Sequence, residues 1–579
     1  MKLNDMNLPA SAGSTALLPP ASQAKRDATE FNLLDLQWQS GIAKLTGGVS
    51  PIALSLAFQD WFLHLASSPG KRIELMAGLN RPVDVAGDAR FAGSGWSKWP
   101  FDVLAKSFVG TGQFWQQATT GVRGVTPHHA QVVNFMAGQM LDVFSPSNFS
   151  WTNPEVLDAT VASKGRNYAS GWANWRADLD RLQAKPPGSQ RTEYAVGVDV
   201  AQTPGQVVYR NDLVELIQYA PQGETVYPEP ILIVPSWILK YYILDLSKHN
   251  SMVRYLVQQG HTVFMISWRN PDAHDRNLGM DDYLSHGLLD VLNEVARMAG
   301  TQQVHAVGYC LGGTLLALAA AALGSGRQAS NAQLKSVTLL AAQTDFSEPG
   351  ELGLFIDDSE LALLDAMMWK KGYLDGDQMG GSFQLLNARD MIWSRMMHEY
   401  MLGIRPDSSD MTAWNADTTR MPYRMHSEYL KRLFLDNDLA GGRYCVDGKP
   451  LALKDIKAPL FVLGTERDHV APWRSVYKIN LFSNAEIDFV LASGGHNAGI
   501  VSEPGHARRS YQFMPARPAA STYMGPDEWL QTAIQADGSW WPHWQQWLAA
   551  HSTAERTAPP LMGAGVTLAD APGQYVLGS

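Results

Sequence analysis

The hydrophobic pattern changes period once along the chain, and the change divides it. From about Ala28 to Ala184, apolar residues such as Trp38, Leu45, Leu54, Phe58, Trp61, Leu65, Phe135, Met136, Met140, Leu141 and Phe144 recur at helical intervals. This predicts a helical N-terminal domain over 28–190, which the polar, proline-paired stretch AKPPGSQRTE closes. Beyond it come short β-rich segments, YAVGVDVA, QVVY and LVELIQYA, and then six nearly continuous apolar runs. These are ILIVP, TVFMISW, VHAVGY, VTLLAA, LFVLG and IDFVLA, as expected of parallel strands covered on both faces. Helical stretches such as MVRYLVQQG and LLDVLNEVARMAG lie between them, which predicts a doubly wound, mostly parallel α/β sheet over 191–579. More than a hundred residues rich in Met, Trp and Tyr separate VTLLAA from LFVLG, far more than a crossover needs. They predict an inserted cap, about 347–445, on the carboxyl end of the sheet.

Composition narrows the class. A chain of 579 residues with 45% hydrophobic and 18% charged side chains is a folded protein of more than one core. A net charge of -10 without a basic run offers no footprint for nucleic acid. Two cysteines, Cys310 and Cys445, allow no disulfide framework and suit a reducing compartment. The first residues, 1–27, lack the charged and apolar regions of a secretion signal and are expected to form a disordered tail. The longest strongly apolar run, Leu315 to Leu323, is about half a bilayer span. A cytoplasmic protein with no transmembrane segment is expected.

The chemistry concentrates at Gly308-Tyr309-Cys310-Leu311-Gly312. A strand, G-x-C-x-G and an apolar helix form the nucleophile elbow of an α/β-hydrolase fold with cysteine in the serine position. The turn pushes sulfur out beside a helix N-terminus, which favours the thiolate. A buried structural cysteine is the commoner use of a thiol, but the flanking glycines, the strand and the helix argue against it here. The base and its orienting acid should follow in the order nucleophile, acid, histidine. Asp468 occupies the loop after LFVLG, with Glu466 as rival, and His496 follows IDFVLA, with His469 and His506 as rivals. Backbone N–H groups of Leu311 and, from the loop after ILIVP, Ile238 are the expected oxyanion hole. Cys445 lacks neighbouring catalytic partners and reads as structural. The tryptophans of GSWWPHWQQWLAAHS read as helix packing against the core. No phosphate-cradling loop, dinucleotide fingerprint or metal-spaced His/Cys set is present, so neither metal nor bound cofactor is expected.

With these residues in view, the chain resembles the polyhydroxyalkanoate synthases, class I in kind. The resemblance rests on GYCLGG, VGVDVAQTPGQVVYRNDLVELIQY, PSWILKYYILDLSKHNSMVRYLVQQGHTVFMISWRNPD, TAWNADTTRMPYRMHSEYL, GTERDHVAPW and SGGHNAGIVSEPG. It implies that Cys310, Asp468 and His496 match the family's triad. It also implies an acyltransferase that polymerises 3-hydroxyacyl-CoA, short-chain units such as 3-hydroxybutyryl-CoA, through a cysteine thioester with release of CoA. CoA enters only as part of the substrate. The other implied partners are the growing polyester chain or granule surface and a second copy of the chain, in a monomer–dimer equilibrium. A cysteine-dependent hydrolase of the same fold, acting on polyester or acyl-CoA, would carry the same triad; the resemblance outside the triad favours the synthase. A non-catalytic granule-surface scaffold would not need an intact triad.

Overall fold

The computed structural model describes residues 30–578 apart from 80, 184–193, 329, 377, 379–388 and 520–521. The expected tail at 1–27 and the polar boundary stretch lie outside the described residues. One sheet organises the C-terminal part. Its strands are β1 (Gly205–Arg210), β2 (Val214–Tyr219), β3 (Ile231–Val234), β4 (Val263–Trp268), β5 (Gln303–Tyr309) and β6 (Gln333–Leu340), then β7 (Leu460–Thr465), β8 (Ile487–Ala492), β9 (Ser510–Phe513), β10 (Ile534–Asp537) and β11 (Ala569–Asp570). They lie in the order β10-β9-β8-β7-β6-β5-β3-β4-β2-β1-β11. The six strands from β3 to β8 pair in parallel, and these are the six apolar runs of the sequence. Antiparallel strands extend both edges.

Burial explains the continuous apolar runs. Leu232 and Val234 of β3 join one core with Leu315 and Leu316, whereas Ile231 and Ile233 join the opposite core with Tyr242 and Trp544. Successive side chains point to opposite faces, so a strand covered on both is apolar at most positions, and the polar exceptions, such as Ser267, His305 and Thr338, are themselves buried. YAVGVDVA is not a strand. The chain turns back at Gly197, φ +86°, leaving a single bridge between Val196 and Val200. The edge strands β9 to β11 escaped the sequence pattern because they are short and none is buried.

The N-terminal part is helical: α1 (Glu30–Leu45), α2 (Pro51–Ala66), α3 (Pro69–Gly78), α4 (Phe101–Thr119), α5 (Pro127–Val143), α6 (Pro154–Ser163) and α7 (Arg166–Gln183). Ser50 starts α2 by accepting the Ala53 amide, with Pro51 at the first helical position. The Trp61 indole ties α2 to α4 through the Ala118 carbonyl at 2.8 Å. Several residues of the helical pattern nonetheless face outward, among them Trp38 at 73% and Phe144 at 69% exposure.

The elbow helix, α8 (Leu311–Gly324), lies under the sheet and is almost wholly buried. Between β6 and β7 the chain forms α9 (Asp358–Trp369), a strand pair joining Tyr373–Leu374 to Met421–Pro422, and a helical run from Tyr423 to Leu435. Met367, Met368, Met421 and Met425 are buried there. Helix α1 packs along α9, so N-terminal and inserted segments meet over the carboxyl end of the sheet. The C-terminal helix, α10 (Trp541–Ala550), packs its tryptophans into the core against Phe461.

Candidate active site

Cys310 sits between β5 and α8 with φ 53° and ψ −123°, a conformation that a non-glycine residue holds only when its surroundings impose it. Those surroundings are the glycines. A Cβ on Gly312 would overlap the carbonyl oxygens of Val234 and Pro235, and one on Gly308 would overlap the backbone of Gly313. The chain therefore packs β5, α8 and the end of β3 at backbone distance, and the side chain of residue 310 is turned outward. It reaches the wall of a cavity of about 710 Å³.

Asp468, buried in the loop after β7, has both carboxylate oxygens occupied. Oδ1 accepts the amides of Val470 and Ala471 at 2.9 and 2.8 Å, and Oδ2 accepts the Thr465 hydroxyl at 3.0 Å. His496 Nδ1 lies 2.8 Å from the same Oδ2. Burial pushes the Asp468 carboxyl up, but the His496 charge, its hydrogen bond and the two amides outweigh that, leaving it below the ordinary carboxylate range. Burial works against the His496 imidazolium, and Asp468 with Cys310 prevails, holding it well above the ordinary histidine range. Glu466 and His469, flanking Asp468, are exposed, and His506 is exposed and paired with Glu503 at 2.8 Å. None of the three rivals is part of this arrangement.

The His496 loop is held from two sides. The Tyr309 hydroxyl, beside Cys310, donates to Asn497 Oδ1 at 2.6 Å, and its ring lies 5.6 Å from that of His496. The indoles of Trp540 and Trp541 donate to the carbonyls of Gly499 and Ile500 at 2.9 and 3.0 Å. The sequence pattern favours helix packing for these tryptophans over contact with polymer or a granule surface. Their N–H groups also fix the segment that carries the histidine.

Leu311 and Ile238 line the cavity beside Cys310. Neither backbone amide donates to a backbone acceptor among the described residues. The remaining wall is largely apolar: Leu352, Phe355, Leu364, Met367, Leu430 and Phe434. Among the polar residues of the wall that the sequence reading missed are Glu360 and His426, each buried, and Lys44 from α1. Burial pushes the Glu360 carboxyl up to about 7 and the His426 imidazole down to about 4. Cys445 stands apart from the cavity, its thiol 3.4 Å from the Arg443 carbonyl. Among the described residues no three His, Cys, Asp or Glu gather to hold a metal ion, and no helix is long and apolar enough to cross a membrane.

Known proteins are similar to this chain along most of its length. A profile described as the Poly-beta-hydroxybutyrate polymerase (PhaC) N-terminus matches residues 87–256, and a second, Poly-beta-hydroxybutyrate polymerase N terminal, matches 29–71. The alpha/beta hydrolase fold profile matches 229–503. The poly(3-hydroxyalkanoate) polymerase of Methylorubrum extorquens is 39% identical over 494 residues, covering 84% of this chain and 80% of that protein. The chain belongs to the poly(3-hydroxyalkanoate) polymerase family. Two further members of that polymerase family, the PhaC subunits of Rhizobium etli and Cupriavidus necator, are 36% and 34% identical, covering 90% and 84% of this chain and 82% and 83% of their own lengths. The polymerase resemblance read from the sequence motifs is thus shown along most of the chain.

Proposed function

We propose that the protein polymerises 3-hydroxyacyl-CoA, with short-chain units such as 3-hydroxybutyryl, into a polyester and releases CoA. The observation that carries this reading is a strained cysteine beside an Asp468-oriented His496, opening onto a large apolar cavity within a polymerase-family chain. The Cys310 thiolate, its proton on His496, attacks the thioester carbonyl carbon. The oxyanion is held by the amides of Leu311 and Ile238; the C–S bond to CoA then breaks, and His496 returns its proton to the leaving thiolate. The acyl group is now a thioester of Cys310 and keeps its activation. A hydroxyl of another unit gives its proton to His496, forms the ester bond at the acyl carbon and expels the Cys310 thiolate. Asp468 is less suited to take that proton, because four donors already occupy its oxygens.

The apolar wall suits an aliphatic chain and excludes water that would hydrolyse the acyl-enzyme. Lys44, the only Lys or Arg among the described residues of the wall, is available to a CoA phosphate. CoA is required only as part of the substrate. The resemblance also supports a homodimer in equilibrium with monomer and residence at the polymer granule. The test follows CoA release from 3-hydroxybutyryl-CoA and identifies the product, with Cys310→Ala alongside. CoA release with insoluble polyester, both lost in the variant, supports the reading. CoA release with only free hydroxy acid assigns the site to a hydrolase instead.

A further inference from the structure

The loop that carries Ile238 is bonded to a distant part of the chain. Its carbonyls are taken by a strip of the inserted segment, Trp414 to Arg420. The Thr419 hydroxyl donates to the Trp237 carbonyl at 2.6 Å, the Thr419 amide to the Ile238 carbonyl at 3.1 Å, and the Trp414 indole to the Lys240 carbonyl at 2.7 Å. Leu239 bridges Thr418, and the Tyr242 hydroxyl donates to Asp417 at 2.9 Å. Thr419 is 3% exposed, so no water competes for the carbonyl it holds.

The first of these contacts bears on the chemistry. The Trp237 carbonyl and the Ile238 N–H are the two ends of one planar trans peptide, and they point in opposite directions. A donor fixed on one end sets the aim of the other. Ile238 lines the cavity beside Cys310, and its amide has no backbone acceptor among the described residues. Donation to the carbonyl also polarises the peptide and strengthens its N–H as a donor.

We propose that Thr419 is a positioning residue for the oxyanion hole: by holding the Trp237 carbonyl it turns the Ile238 N–H toward the thioester oxygen at Cys310. The hole is then complete only while the strip from Trp414 to Arg420 is docked on the loop. This inference rests on the polymerase reading above.

The test compares wild type with Thr419→Val, which keeps the branched shape and the amide but removes the hydroxyl, and with Thr419→Ser, which restores it. Steady-state CoA release from 3-hydroxybutyryl-CoA gives kcat and KM, and a rapid-quench experiment gives the rate of the first CoA release. Thr419→Val should lower kcat and that first step about tenfold or more, since a misaimed donor forfeits part of what a missing one does. KM should stay within about twofold, because the cavity wall is untouched, and Thr419→Ser should recover most of the rate. Should Thr419→Val fail to fold, Thr419→Ala removes the same hydroxyl with less crowding and should show the same split. A folded Val or Ala variant with wild-type kcat overturns the proposal, and so does a Ser variant as slow as Val. A wild type that releases no CoA overturns the polymerase reading together with it.

Discussion

His496 Nδ1 and Asp468 Oδ2 lie 2.8 Å apart across two loops that leave adjacent parallel strands, β7 and β8. The contact directs Nδ1–H at the carboxylate, so that in the proposed mechanism Nε2 is the atom that exchanges a proton with Cys310 and with the incoming hydroxyl. Asp468→Asn keeps the shape and the Val470 and Ala471 amide contacts but can present an N–H to the ring. The predicted result is a folded protein whose kcat falls about a thousandfold or more. Far-UV spectra with CoA-release kinetics check both halves.

The elbow predicts a steric failure. In Gly312→Ala the new methyl meets the carbonyl oxygens of Val234 and Pro235 at the end of β3, where backbone has no rotamer to change. Relieving the overlap moves α8 away from the strand that precedes the Ile238 loop. A loss of about 1–3 kcal/mol is expected from denaturant midpoints, with activity falling further than stability.

These two features were legible in the sequence because each residue is marked by a local pattern. G-x-C-x-G sits within five residues, and the acid and histidine follow at the ends of strands that read as apolar runs. What the sequence concealed depends on contacts between distant segments. The Ser50 amide donates to Glu360 across 310 residues at 2.6 Å, and Thr419 reaches Trp237 across 182. No periodicity encodes either. The short edge strands escaped for a different reason, since strands that are not buried lack the continuous apolar runs that marked the sheet's centre. YAVGVDVA misled because its alternation belongs to a turn.

Glu360 predicts an inverted pH dependence. It is 4% exposed at the cavity wall. Burial, with Asp357 adding and the Ser50 amide opposing, pushes its carboxyl up to about 7. The folded state thus keeps a proton that the unfolded chain releases at an ordinary carboxyl value. The stability this supplies is full below that ordinary value and is lost as pH rises through about 7. Glu360→Gln keeps an acceptor for the Ser50 amide without the charge. It should match wild type near pH 5 and exceed it near pH 8 by up to about 3 kcal/mol, read from denaturant midpoints at the two pH values.

Tyr309 links the elbow to the histidine loop. Tyr309→Phe removes the donor to Asn497 and should cost about 1 kcal/mol in stability, the net worth of one hydrogen bond. Because the loop carries His496, kcat should fall several-fold with KM little changed. Wild-type kcat in this variant would mean that the indoles of Trp540 and Trp541 suffice to hold the loop.

The most direct measurement of the central claim is the mass of the peptide containing Cys310 after a rapid acid quench of wild type with 3-hydroxybutyryl-CoA. The account predicts hydroxyacyl additions on that peptide, absent from Cys310→Ala and appearing as the first CoA is released. Polyester formed with no acyl group ever found on Cys310, or with the adduct on Cys445, would contradict it.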